Sequence, residues 1–192
     1  MKKYLLDYVY LIVFSGSIVA LDQWTKFLVR THLAFQEAWA PWEWLIPYAR
    51  IVHWNNTGAA FGMLQGFGSV FTVLAIIVSL VILYYFPQVP RRDWVLRLAL
   101  GLQLAGAVGN LIDRLTIGSV TDFISVGNFA VFNVADASIS VGVVVLVIAM
   151  WLKEREERAE QNDSEQGPPD TQRLSSSLEN APDPVSEEFK RE

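Results

Sequence analysis

The residues of this 192-residue chain whose types and spacing could do chemistry are carboxylates and amides. Asp22 and Lys26 stand four residues apart; Gly106, Asn110 and Asp113 follow an i, i+4, i+7 pattern; Asn133, Asp136 and Ser140 follow i, i+3, i+7. Each set shares one face of a helix, and Asp122 lies between the last two. The sequence contains no cysteine, which excludes a thiolate nucleophile, a disulfide scaffold and a thiolate metal site. His32 and His53 lack the i+3 or i+4 partner of a helical metal pair, so neither a metal nor another cofactor is expected. What is left is the chemistry of two neighbouring carboxylates. Two such groups cannot both ionise easily and share a proton, so that one acts as base on a water while the other polarises a carbonyl. Spacing alone leaves open whether Asp113 or Asp122 would partner Asp136.

Each of these residues also has a purely structural reading. Asp22 and Lys26 form an intrahelical ion pair at i, i+4. Asp113 beside Arg114 reads as a helix-end charge cluster. Asp136 reads as a first-turn acid capped by Asn133, and Gly101, Ala105 and Gly109 as a close helix-packing face.

The elements that must position these groups are membrane spans. The chain is 52% hydrophobic and only 18% charged, with a mean hydropathy of +0.30. Crossing the hydrocarbon core takes about 20 mostly apolar residues, and four such stretches occur, at about 5–29, 69–86, 95–112 and 135–152. Lys2-Lys3 before an apolar run raises the question of a cleavable leader, but Asp7 interrupts that run and no small-x-small site precedes Asp22, so the first stretch reads as a retained span. Parity puts Lys2, Lys3, Arg91, Arg92, Lys153, Arg155 and Arg158 on one side, against Lys26, Arg30, Arg50 and Arg114 on the other. The more basic side reads as cytoplasmic. Both termini are therefore expected inside, with the loops at about 30–68 and 112–134 outside. All four outer-level carboxylates then meet on the extracytoplasmic side.

The first outer loop carries Trp39, Trp42, Trp44, Tyr48 and Trp54, residues suited to a membrane–water interface. Within it, Arg50–Trp54 reads as a strand and Asn55–Gly58 as a turn. Residues 1–152 carry 9 basic and 8 acidic side chains, whereas residues 153–192 carry 6 and 12, so the net charge of -5 belongs to the tail. That distribution excludes a uniformly basic nucleic-acid binder. The expected fold is an all-α membrane protein: a four-transmembrane-helix bundle, residues 1–152, with a small extracytoplasmic β-sheet and an acidic cytoplasmic tail at 153–192. The tail starts as a charged helix continuation and is then expected to be disordered.

Five blocks carry a resemblance: Asp22-Gln23-Trp24-Thr25-Lys26, Asn56-Thr57-Gly58-Ala59-Ala60-Phe61-Gly62, Gly106 to Arg114, Val120-Thr121-Asp122-Phe123-Ile124 and Phe132-Asn133-Val134-Ala135-Asp136. Together, in this order on four spans, they resemble the bacterial lipoprotein signal peptidases (signal peptidase II), aspartic proteases of the cytoplasmic membrane. The resemblance implies that Asp122 and Asp136 are the catalytic dyad and that Asp113 is a supporting residue. It further implies that Asn110, Arg114 and Asn133 line the site, that Asn56–Phe61 with Gly58 forms its outer rim, and that Asp22, Lys26, Gly106 and Ala135 shape it. The implied substrates are diacylglyceryl-prolipoproteins, cut just before the lipidated cysteine, with membrane lipid as the surroundings. The second reading, a four-span transporter or scaffold subunit, is disfavoured because transporters place carboxylates near the midplane at a repeat interface. Here the midplanes of spans two and four are apolar and no repeat is found.

Overall fold

The computed structural model describes residues 2–58 and 66–166. Its long helices are α1 (Lys2–His32), α2 (Gly68–Tyr85), α3 (Trp94–Thr116) and α4 (Val134–Gln166). All four are long and apolar enough to cross a membrane. Helix α2 is the most apolar, and Pro87, in the short 3-10 turn Phe86–Gln88 that follows it, removes a backbone donor where the helix stops. Helix α3 ends where the amides of Ile117 and Gly118 both turn back to the Asp113 carbonyl; Gly118 has a φ of 84°, a left-handed conformation that glycine adopts without penalty.

Half of the apolar window of α3 is buried, against 17–22% for the other three helices, so α3 is the central element. Small residues allow that. A side chain at Gly101 would meet the ring of Phe14 on α1, and one at Gly109 would meet Asp22 and Ala135. From the other side, Gly142 of α4 lies against Ala99, Leu102 and Gln103. The expected close-packing face is therefore real, with Ala105 fully buried in it. Leu11, Ile82, Phe86 and Leu104 form the apolar core. Leu5, Ile12, Leu74, Leu80, Val144 and Val147 are exposed on the outer faces, as lipid-facing positions should be.

The sheet consists of β1 (Ala38–Trp39), β2 (Ala49–Asn56) and β3 (Val120–Val126), antiparallel in the order β1-β2-β3. Trp54 pairs with Asp122 and Asn56 with Val120, with an irregularity between Ile51 and Trp54. The strand anticipated at Arg50–Trp54 thus runs further, taking in Asn55 and Asn56, and the turn begins only at Thr57. Trp39, Trp42, Trp44 and Tyr48 are exposed, and the rings of Trp42 and Trp44 stack with centroids 6.0 Å apart.

Helix α4 continues to Gln166, so the start of the acidic segment is helical. The described residues up to Met150 form one compact unit, and those from Trp151 belong to a second. The disorder expected further along the tail, and the Ala59–Phe61 part of the rim, lie outside the described residues.

Candidate active site

Asp136 is fixed by the way α4 begins. The Asn133 side-chain carbonyl accepts the Asp136 backbone N–H at 2.9 Å, and an Asp136 carboxylate oxygen accepts the Asn133 N–H at 3.2 Å. These reciprocal bonds satisfy donors that a helix start would otherwise leave open. With its oxygen committed, Asn133 directs its Nδ2 at Asp122 Oδ1, 2.7 Å away, and at Asn110 Oδ1, 3.1 Å away. Asn110 in turn donates from Nδ2 to Asp136 Oδ1 at 2.7 Å.

Asp122 sits on β3 opposite the end of β2, where Asn56 Nδ2 donates to its Oδ2 at 3.0 Å. Asn56 Oδ1 accepts the Gly58 N–H at 2.9 Å, which ties the start of the following turn to the same side chain. Asp122 is 1% exposed. Burial, reinforced by the charge of Asp136 and opposed by the hydrogen bonds from Asn56 and Asn133, pushes its carboxyl up to about 7. A carboxyl there holds its proton near neutrality and can donate it.

Behind the two aspartates lies a fully buried ammonium. Lys26 Nζ is 2.8 Å from Asp22 Oδ2, 3.2 Å from Asp113 Oδ2 and 2.9 Å from Asn110 Oδ1. The i, i+4 ion pair on α1 therefore exists, but it extends to α3. Asp113 pairs with Lys26, and at 3.5 Å with Arg30. The helix-end charge cluster thus forms, with Lys26 and Arg30 as the ion-pair partners of Asp113 and Arg114 interacting with it through charge. These carboxylates also hold backbone: Asp22 accepts the Ala135 N–H through its other oxygen, Oδ1, and Asp113 accepts the Thr121 N–H on the same Oδ2 that faces Lys26, each at 2.9 Å. Gly106 lets α4 approach, since a side chain there would meet the Ala135 carbonyl.

Sequence reasoning thus named Asp22, Lys26, Asn56, Gly58, Gly106, Asn110, Asp113, Asp122, Asn133, Ala135 and Asp136, and the fold gathers them. Arg114 reaches Asp136, Asp122 and Asp113 through charge. Its guanidinium lies 5.5 Å from the Phe71 ring centroid, beside an open cleft of about 610 Å³ lined by Thr57, Ser69 and Thr72. Among the described residues no hydrogen bond joins it to either Asp122 or Asp136.

Two contributors were missed. Gln23 donates to Asp22, to the Gly109 carbonyl and to Asp113, and Thr121 accepts from Arg30 at 3.0 Å. At the opposite end of α3, Arg97 bonds Asp7 at 2.8 Å, joined by Arg91. An acid inside span one and an arginine inside span three at one membrane level were the available signal.

A family model described as signal peptidase (SPase) II matches residues 14–152. The lipoprotein signal peptidase of Halalkalibacterium halodurans is 40% identical over 153 residues, covering 76% of this chain and 94% of that one. That of Acinetobacter baylyi is 37% identical over 155 residues, covering 74% and 83%. A solved bacterial membrane enzyme structure, determined by the in meso method at 2.3 Å resolution, superposes with a TM-score of 0.69 at 31% identity, covering 77% of this chain and 90% of that one.

Proposed function

Because this chain belongs to the signal peptidase II family, multi-pass aspartic peptidases of bacterial membranes, we propose that Asp122 and Asp136 are its catalytic pair. Its substrates are prolipoproteins carrying diacylglyceryl on the cysteine that follows the scissile bond. The observation that carries the dyad is that two aspartates from different elements are tied together through two asparagine amides, with the Asp122 carboxyl pushed up to about 7 by burial and by the charge of Asp136.

Asp136 takes a proton from a water as the water oxygen bonds to the scissile carbonyl carbon, and Asp122 gives its proton to the carbonyl oxygen. The resulting diol collapses as the C–N bond breaks. The proton on Asp136 passes to the leaving nitrogen and a diol proton returns to Asp122, leaving a carboxylic acid and an amine. Asn110 and Asn133 hold the two carboxyl groups, and Asn56 steadies Asp122 from the sheet. Arg114, beside its open cleft, is placed to bind substrate backbone carbonyls.

Both termini are assigned to the cytoplasm and the dyad to the extracytoplasmic face, supported by the basic flanks of the spans. Residues 1–152 are the protease body, and residues 153–192 are a cytoplasmic tail. Acyl chains held in the bilayer would bring the scissile bond to the depth of the dyad, replacing part of the encounter cost by prior partition. The test is cleavage by the purified protein in detergent of a prolipoprotein with and without its diacylglyceryl group. Only the lipidated form should be cut efficiently, and comparable cleavage of both would overturn the substrate assignment.

A further inference from the structure

The backbone N–H groups that Asp22 and Asp113 accept belong to Ala135 and Thr121, the residues immediately before Asp136 and Asp122. One buried ammonium, Lys26, holds both of those carboxylates, at 2.8 and 3.2 Å. Its third contact is Asn110 Oδ1 at 2.9 Å. An ammonium has only donors to offer, so the atom of Asn110 facing it is the oxygen, and the Asn110 NH2 is forced toward Asp136. Three arms therefore leave Lys26: through Asp22 to the backbone of α4, through Asp113 to the backbone of β3, and through Asn110 to the Asp136 carboxylate itself.

Resting on the dyad proposed above, we infer that Lys26 is the positioning residue of the catalytic pair, setting the separation and orientation of Asp122 and Asp136 through Asp22, Asp113 and Asn110. The symmetry of the arrangement distinguishes it from an ordinary buried ion pair. An ion pair that only joined α1 to α3 would need one carboxylate and no grip on the segments that carry the dyad. Here each carboxylate that the ammonium holds also accepts the backbone N–H of the residue next to a catalytic aspartate, Asp22 through its second oxygen and Asp113 through the Oδ2 it shares with Lys26, and the ammonium fixes the distance between the two carboxylates. Lys26 is fully buried, with its ammonium taken up by Asp22, Asp113 and Asn110, so its effect falls on the chemical step rather than on binding.

The test is steady-state cleavage of a lipidated prolipoprotein by full-length Lys26→Met in detergent, with the folded fraction measured by size-exclusion chromatography and circular dichroism. Because Lys26→Met leaves Asp22 without its counter-ion and Asp113 with Arg30 in place of two cations, a second variant, Asp22→Asn with Lys26→Met, keeps the net charge of the cluster while removing the ammonium. A misplacement of the pair by about 1 Å should lower kcat about 10²-fold per folded molecule in either variant, with KM within about threefold of the parent. Activity per folded molecule within about threefold of the parent would overturn the inference, as would a loss that appears in KM with kcat retained. The dyad is judged separately: Asp122→Asn and Asp136→Asn inactive beside a normal Lys26→Met would remove the positioning role alone, whereas either of those two active would remove the dyad.

Discussion

Gly106→Ala is a one-methyl perturbation aimed at a close approach of α3 and α4. The added carbon would stand 2.5 Å from Ile139 Cγ1 and closer still to the Ala135 carbonyl oxygen. Ordinary carbon–carbon contact is about 3.5–4.0 Å, so α4 is short of room by about 1 Å. Ile139 can change rotamer, but a backbone carbonyl cannot, and Ala135 is the residue next to Asp136. The start of α4 must therefore move, stretching the 2.7 Å bond from Asn110 to Asp136. Overpacking of this kind costs about 1–3 kcal/mol, offset in part by the roughly 0.5–1 kcal/mol that alanine gains over glycine within a helix. A shift of about 1 Å at a reacting group costs about 10²-fold in rate. The assay pairs unfolding in a detergent–SDS titration with kcat on a lipidated prolipoprotein. Gly16→Ala on α1, where an added carbon meets nothing within 4 Å, serves as the control and should keep full activity with unchanged or slightly raised stability. Parent-like kcat in Gly106→Ala would refute the claim that this contact sets the position of Asp136.

Asp122 has a folded pKa of about 7 against an ordinary 3.8. Between those values the folded protein binds more protons than the unfolded one, so stability falls as pH rises from about 4 to about 7. Asp122→Asn should flatten that decline in thermal unfolding scans, and an unchanged pH slope would contradict it; kcat/KM of the parent should fall above about pH 7 as the proton donor ionises. Arg97→Leu breaks the buried pair with Asp7 and should cost about 3–5 kcal/mol. Asp113 lies 16 residues along α3 from Arg97, about 24 Å away at 1.5 Å per residue, so kcat per folded molecule should be retained, and a specific loss of kcat would show coupling between the two ends.

Hydropathy made the four spans legible because lipid-facing helices need apolar residues all round, and the exposed Leu74, Leu80, Val144 and Val147 are the result. Parity then gathered the carboxylates at one level. Spacing could not choose between Asp113 and Asp122, because both fall within reach of the start of α4. The distinction is three-dimensional: Asp113 is committed to Lys26 and to the Thr121 N–H, whereas Asp122 receives amide donors from Asn56 and Asn133. Strand β3 escaped notice because it is buried on both faces over Val120–Phe123, which erases the alternation that marks a half-exposed strand. The Asp7–Arg97 pair was equally hidden, since its partners lie 90 residues apart and meet only through helix packing.

The central claim is that Asp122 and Asp136 share the chemistry, and single-turnover cleavage of a diacylglyceryl-modified prolipoprotein by Asp122→Asn and Asp136→Asn tests it most directly. Both proteins should insert, fold and bind the substrate, and each should cleave it at least about 10²-fold more slowly than the parent. Single-turnover rates close to the parent's in either variant would contradict the assignment.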